Sequence, residues 1–127
     1  MEPGIRSTLE RLKGLGLTLS ILTETVHSKE SKEIMLEAAG LSGIFDHIFV
    51  PMDTGSRKPN ARAYLAVIEH YKVKPSDALF VGHDKDELDG ARAVGISSVS
   101  YRGDRDGDYY ASTFDEIFDL VKGLKED

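Results

Sequence analysis

Hydrophobic residues recur along the chain at two alternating spacings, one helical and one typical of β-strands. Ile5, Leu9 and Leu12 follow Pro3-Gly4 at helical spacing and predict a first helix. The apolar residues at 17, 19, 21 and 22 predict a strand over 17–22. The later patterns predict, in chain order, a helix over 28–39, a strand over 47–50, a helix over 60–71, a strand over 78–81, a helix over 87–94, a strand over 97–101 and a helix over 114–124.

This alternation of strands and helices is typical of an α/β protein with a parallel sheet. Right-handed crossovers place helices on both faces of such a sheet, which predicts a three-layer Rossmann-like architecture. The run 78–81 is continuously apolar, so we expect that strand to be buried on both faces. Ligands bind outside the carboxyl ends of parallel strands. The candidate functional segments are therefore 23–27, 51–58, 82–87 and 102–108.

Composition narrows the class of protein. A length of 127 residues predicts a single domain over 1–127. The net charge of −6 offers no positive field for nucleic acid or an anionic membrane, and no apolar run reaches the roughly 20 residues of a membrane span. There is no cysteine, and Met1-Glu2-Pro3-Gly4 does not resemble a secretory signal. We therefore expect a cytoplasmic protein without disulfides or thiolate metal sites.

Polar side chains with complementary chemistry follow three predicted strands. Thr23 closes the first strand, Lys58 follows the second, and an acidic cluster containing Asp84 and Glu87 follows the third. A hydroxyl donor, an ammonium group and hard carboxylate oxygens at one sheet edge suit a phosphate group bound with a divalent cation. The spacing alone favours this interpretation without specifying it.

Several short motifs occur in order over residues 3–101. They are Pro3-Gly4-Ile5, 17–23, Gly43-Ile44-Phe45-Asp46, Lys58-Pro59, Val81-Gly82 and 89–96. Together they resemble the haloacid dehalogenase superfamily of phosphatases and related hydrolases. The resemblance implies that Thr23 is the phosphate-binding hydroxyl and Lys58 the phosphate-stabilising lysine. It further implies that the acidic cluster after Gly82 is the Mg²⁺-binding segment, and that the bound molecule is a small phosphorylated substrate or phosphate.

The chain departs from this family at the nucleophile. The family uses an aspartate in an Asp-x-Asp pair at the end of a strand that comes before everything matched here, and only Met1 and Glu2 precede Pro3. In the family that strand is central, between the strand ending at Thr23 and the strand ending at Gly82. Without it we expect strand edges that re-pair or invite another chain. The expected partner is a second copy or a complementing chain that supplies the strand.

The second departure is His83, which occupies a position where the family usually has aspartate. Mg²⁺ prefers oxygen ligands, so imidazole is a poor replacement. Glu87 lies where the second acid is expected, and Asp84 could serve with it by a shift of one position. Magnesium binding is therefore expected in a weakened form.

Each candidate residue also has a structural interpretation. Thr23 could simply be a β-branched strand end, and Lys58 a solvated loop residue before the helix N-cap Asn60. Asp84 and Glu87 have the spacing of a helix capping box. His83 could simply be a hydrogen-bonded residue at a strand end. The acidic run at Asp104, Asp106 and Asp108 is interpreted as a solvated loop rather than a calcium loop.

Two functions from different classes remain open. The first is a phosphatase-type hydrolase, incomplete or inert alone because the aspartate nucleophile is absent. The second is a degenerate, non-catalytic module that binds phosphate or metal or acts in regulation. A receiver-type phosphoacceptor domain is disfavoured, because the acidic pair and the acceptor aspartate that it needs are not found at the required strands.

Overall fold

The predicted succession of helices and strands is present in a computed structural model, which describes residues 4–22, 36–41, 43–50, 60–104 and 107–126. The helices whose two ends lie within the described residues are α1 (Ile5–Gly14), α2 (Ala61–Tyr71), α3 (Lys85–Ala93) and α4 (Phe114–Glu126), with a 3₁₀ turn at Pro75–Asp77. The five strands are β1 (Ser20–Leu22), β2 (His47–Phe49), β3 (Leu79–Gly82), β4 (Ser97–Tyr101) and β5 (Tyr109–Ala111). Residues 36–38 are also helical, and the rest of the helix predicted over 28–39 lies outside the described residues.

The two ends of α2 illustrate how local sequence determines a helix. The Asn60 side chain accepts a hydrogen bond from the Arg62 backbone N–H at 2.9 Å, which confirms Asn60 as the N-cap. The helix ends at Lys72, which adopts a left-handed conformation with φ of 54°. A polar cap and a left-handed residue therefore define both boundaries to within one residue of the prediction.

The described strands form two parallel sheets. In the first, β1 pairs with β2, with Ile21 opposite Ile48. In the second, the order is β3-β4-β5, with Val81 opposite Val99 and Val99 opposite Tyr109. Within the described residues no pairing joins β1 to β3. The division between the sheets falls where the family resemblance places a further, central strand.

Helices pack on both faces, which confirms the three-layer architecture. One cluster joins α1 and α4 to β4 and β5 through Leu9, Leu12, Val99, Ala111, Ile117, Phe118 and Val121. The other joins α2 and α3 through Tyr64, Ile68, Ala91 and Ile96. Leu22 of β1 and Phe80 of β3 both pack against this second cluster. The same helical layer therefore supports both sheets.

Strand β3 is more exposed than its apolar sequence predicts. The side chain of Val81 is 40% exposed, and its neighbours in the strand are only partly buried. The expectation of burial on both faces is therefore wrong for this strand. The physical reason lies in the sheet topology, because β3 pairs with β4 on one side and no described strand flanks its other edge.

Strand β5 is absent from the sequence-based prediction, which placed a solvated loop before the last helix. Asp108 accepts hydrogen bonds from the Ser98 backbone N–H at 2.9 Å and from its hydroxyl at 3.4 Å. These contacts tie the segment to β4 and bring Tyr109–Ala111 into register with it. The solvated-loop interpretation is therefore wrong for Asp108, while Asp106 lies outside the described residues.

Among the described helices, none has the combination of length and apolar composition that a bilayer span requires.

Candidate active site

The structure brings together the two predicted metal ligands and His83. Asp84 and Glu87 follow the carboxyl end of β3, as the sequence predicts. Thr23 and Lys58 lie outside the described residues, so their roles stay predictions. The part of the site that can be described is therefore the segment from Gly82 to Glu87 and the chain packed against it.

One potential ligand atom from each of His83, Asp84 and Glu87 lies within 4.8 Å of the others. His83 Nε2 is 3.3 Å from Asp84 Oδ1, and His83 Nδ1 is 3.8 Å from Glu87 Oε2. The side chains of His83 and Asp84 are 67% and 63% exposed, whereas that of Glu87 is only 16% exposed. The group thus has one mostly buried carboxylate, that of Glu87, and is open to solvent on the side of the other two residues.

Glycine at position 82 leaves room for the Phe80 ring and the mostly buried Glu87 carboxylate. A Cβ atom on Gly82 would lie 2.6 Å from the Phe80 ring and 3.2 Å from Glu87 Oε2. Both separations are shorter than ordinary van der Waals contact. A side chain at this position would therefore displace the Phe80 ring and crowd the Glu87 carboxylate.

The start of α3 is capped differently from the sequence prediction. Asp84 occupies the N-cap position, but its side chain makes no cap hydrogen bond. Instead, Asp104 Oδ2, beyond the end of β4, accepts from the Lys85 backbone N–H at 2.9 Å. The N-cap position of Asp84 is therefore confirmed, but the expected cap bond from its side chain is wrong, as is the solvated-loop interpretation of Asp104. The sequence holds no local signal for this cap, because it joins segments 19 residues apart.

The backbone after β4 also lies directly against His83. Asp104 donates its N–H to the His83 carbonyl oxygen at 2.8 Å. Gly103 lies so close to His83 that a Cβ would meet the His83 backbone within 2.6 Å. Two strand-end loops are therefore joined by backbone contacts, which fix the position of His83.

Tyr64 positions the other end of the site. This side chain is almost completely buried in α2 and packs edge-on against Phe80 with ring centroids 5.4 Å apart. Its hydroxyl donates to the Glu87 backbone carbonyl at 2.8 Å. The sequence pattern places Tyr64 only within the helix predicted over 60–71 and gives no sign of this contact, because Glu87 belongs to a different helix.

A cavity of about 430 Å³ opens beside this group. It is lined by Val81, Gly82, His83, Tyr101, Arg102 and Phe114. Its walls are largely apolar, with one imidazole and one guanidinium side chain. Arg102 is held in place by donating from Nε to the Ser112 carbonyl oxygen at 2.6 Å. The cavity can therefore take a small molecule next to His83 and offer it a fixed positive charge.

The donor set does not match the ligands that Mg²⁺ prefers. Asp84 and Glu87 provide hard carboxylate oxygens, but His83 contributes an imidazole nitrogen to the same cluster. Mg²⁺ binds nearly always through oxygen and keeps several waters in an octahedral shell. The carboxylates alone suit Mg²⁺, and the complete three-residue group does not.

A parallel α/β sheet with helices on both faces, and acidic side chains at a strand end, defines a class shared by many hydrolases. A family model described as haloacid dehalogenase-like hydrolase matches residues 1–101. The chain belongs to the haloacid dehalogenase-like hydrolase family, and the resemblance seen in its motifs is confirmed.

Individual relatives agree with this assignment. Glyceraldehyde 3-phosphate phosphatase of Pyrococcus furiosus is 31% identical over 102 residues, covering 79% of this chain and 41% of that protein. Phosphoglycolate phosphatase of Vibrio parahaemolyticus is 29% identical over 130 residues, covering 99% of this chain and 55% of that protein. The crystal structure of a HAD-superfamily hydrolase from Geobacter sulfurreducens matches with a TM-score of 0.82 and 30% identity, covering 94% of this chain and 60% of that one. The chain thus spans about half the length of the curated relatives it matches.

Proposed function

We propose that this chain is the core of a phosphatase-type hydrolase that acts on a small phosphorylated molecule and takes its nucleophile from outside residues 1–127. The observation that carries this proposal is the convergence of Asp84 and Glu87 at the carboxyl end of β3, beside a cavity of about 430 Å³. Strand ends of parallel sheets are where such enzymes bind their ligands. Relatives that are phosphatases by name support the same reaction class.

The proposed chemistry is phosphoryl transfer through a covalent intermediate. A carboxylate nucleophile attacks phosphorus, the substrate alcohol leaves with its oxygen, and water then hydrolyses the acyl phosphate to release inorganic phosphate. Thr23 would donate a hydrogen bond to a phosphoryl oxygen and Lys58 would neutralise the charge on the others. Arg102, at the cavity wall, adds a further cation within the same site.

The nucleophile strand would enter between β1 and β3. The described strands form separate sheets at this point, and Val81 of β3 is 40% exposed there. Leu22 and Phe80 pack against one shared helical layer, so the two sheets are already held side by side. An apolar strand ending in Asp-x-Asp would cover Val81 and place its carboxylates at the carboxyl ends of β1 and β3. An upstream segment or a separate complementing chain would supply it, consistent with the tendency of open edges to recruit strands.

Hydrolysis of a generic aryl phosphate tests the proposal. The purified chain should show almost no turnover, since loss of a nucleophile typically costs on the order of 10⁴- to 10⁶-fold in kcat. Co-expression with the N-terminal segment of the Pyrococcus furiosus relative should restore turnover. Lys58→Ala in the complemented pair should abolish that activity, and Asp→Asn replacement of the supplied nucleophile is the matched control.

Two outcomes would contradict this assignment. Turnover by the 127-residue chain alone, lost on Lys58→Ala substitution, would show that the nucleophile lies within the chain. A stable complemented pair that binds phosphate without turning over would favour the second candidate, a non-catalytic phosphate- or metal-binding module. The imidazole of His83 within the carboxylate group is the observation that favours this second candidate.

We further propose that residues 1–127 act as one domain, in the cytoplasm, without nucleic-acid or membrane partners. The absence of cysteine and the net charge of −6 support these points. Magnesium stays a prediction that rests on the family and on the oxygens of Asp84 and Glu87.

A further inference from the structure

We infer that the group formed by His83, Asp84 and Glu87 is a site for a divalent transition-metal ion such as Co²⁺ or Zn²⁺, and that it binds Mg²⁺ weakly. The inference concerns the metal site of the proposed function. It is tested by metal binding in the absence of turnover. The metal inference can therefore fail while the hydrolase assignment stands, and the hydrolase assignment can fail while the metal inference stands.

The spacing of the three side chains suits one small ion. Their ligand atoms lie within 4.8 Å of one another. Ligands about 2.1 Å from a common ion are separated by about 3 to 4.2 Å, depending on the angle between them. His83 and Asp84 are largely exposed, so small rotations about their side-chain bonds close the remaining distance. Glu87 needs less movement, because it is mostly buried beside Gly82.

The backbone around the group is already fixed. The His83 carbonyl accepts a hydrogen bond from Asp104 N–H at 2.8 Å, and the Glu87 carbonyl accepts one from the Tyr64 hydroxyl at 2.8 Å. Both ligands are therefore held at their main chains. A fixed backbone lowers the entropic cost of gathering three ligands around an ion.

The imidazole of His83 lies near both carboxylates without a short hydrogen bond to either. Its nitrogens are 3.3 Å from Asp84 Oδ1 and 3.8 Å from Glu87 Oε2, whereas charge-assisted N–H···O⁻ hydrogen bonds measure about 2.7–2.9 Å. An ion between the three side chains would contact both carboxylates and the imidazole at once.

The chemistry of the donors determines which ion is preferred. Imidazole suits Zn²⁺, Co²⁺ and Ni²⁺, while Mg²⁺ is bound through oxygen and loses its waters reluctantly. A site with one nitrogen and two carboxylate oxygens therefore binds a transition ion more tightly than Mg²⁺. The single residue that separates the two preferences is His83.

The inference is tested by measuring metal binding to the tag-free 127-residue chain. Co²⁺ binding is followed by its visible absorption, and Zn²⁺ and Mg²⁺ binding by calorimetry. The wild-type chain should bind one Co²⁺ with a ligand-field spectrum that differs from that of the hydrated ion. His83→Ala should weaken Co²⁺ binding by at least about tenfold. His83→Asp should shift the ratio of Mg²⁺ to Zn²⁺ affinity towards Mg²⁺ by at least about tenfold, because it restores an all-oxygen donor set.

Asp86→Asn is the matched control, since Asp86 is an exposed acid in the same first turn of α3 and outside the three-residue group. His70→Asn controls for binding to an exposed histidine elsewhere on the protein. Neither control should change Co²⁺ affinity by more than about twofold. The inference is overturned if wild-type protein binds Mg²⁺ as tightly as Zn²⁺, or if His83→Ala binds Co²⁺ no more weakly than Asp86→Asn.

Discussion

Replacement of Gly103 by alanine perturbs the contact that joins the two strand-end loops of the site. A Cβ at this position would lie 2.5 Å from His83 Cα and 2.6 Å from its carbonyl carbon, and closer still to its carbonyl oxygen. Carbon atoms in contact are normally about 3.5–4.0 Å apart. Because the opposing atoms are backbone, no side-chain rotation relieves the overlap, and the two loops must separate by about 1 Å or more.

The free-energy cost follows from what this separation breaks. Overpacking a close contact costs about 1–3 kcal/mol. The same movement stretches the bond from Asp104 N–H to the His83 carbonyl and withdraws the Asp104 carboxylate from Lys85 N–H, both under 3 Å in the wild type. Loss of a helix cap adds about 1 kcal/mol. We therefore expect the unfolding free energy to fall by about 2–4 kcal/mol.

Chemical denaturation followed by circular dichroism measures this change, and Co²⁺ binding to the folded variant reports on the position of His83. The matched control is Gly123→Ala in α4, where a Cβ meets nothing within 4 Å. Alanine should stabilise that helix by about 0.5–1 kcal/mol. A Gly103→Ala protein as stable as the wild type, with unchanged Co²⁺ affinity, would refute the close approach of the two loops.

Three further predictions concern stability. Asp104→Ala should cost about 1 kcal/mol in urea unfolding, because the Lys85 N–H loses its acceptor; an unchanged midpoint would contradict the cap. Burial, and then the hydrogen bond to Asp46, raise the pKa of Tyr71 from 10.0 to about 12. The folded state favours the protonated phenol, so the Tyr71 hydroxyl adds about 1 kcal/mol to the free energy of unfolding below pH 10, and this contribution is lost as the pH rises to 12. Tyr71→Phe should therefore be less stable than the wild type at pH 8 and equal to it near pH 12. The Ser100 hydroxyl is buried and makes no hydrogen bond within the described part of the chain, so Ser100→Ala should leave thermal stability unchanged or raise it by up to about 1 kcal/mol, and a fall would reveal a partner.

Local sequence was sufficient where an element depends on its own residues. The helix over Ala61–Tyr71 follows from its hydrophobic spacing and from the side chain of Asn60, and both are confirmed. The helix Phe114–Glu126 likewise follows from its spacing, with Ile117, Phe118 and Val121 buried. Such predictions succeed because the hydrogen bonds and the periodic face involved lie within one or two turns of the chain.

Local sequence misled where a contact comes from far along the chain. The spacing of Asp84 and Glu87 predicted a capping box, but the cap of α3 is provided by Asp104. An acidic run that suggested a solvated loop contains Asp108, which ties β5 to Ser98. In both cases a carboxylate accepts a hydrogen bond from the backbone N–H of a residue that is distant in sequence.

By itself, the sequence determined the parallel α/β class, the family and the strand end that carries Asp84 and Glu87, since periodicity and strand polarity are properties of short segments. Tertiary structure alone decided that imidazole and two carboxylates meet at one point, that Gly103 lies against His83, and that β3 is half exposed beside the division of the sheet. These features arise from the packing of separate segments. They depend on contacts between backbone segments that are distant in sequence, and hydrophobic periodicity within one segment does not predict such contacts.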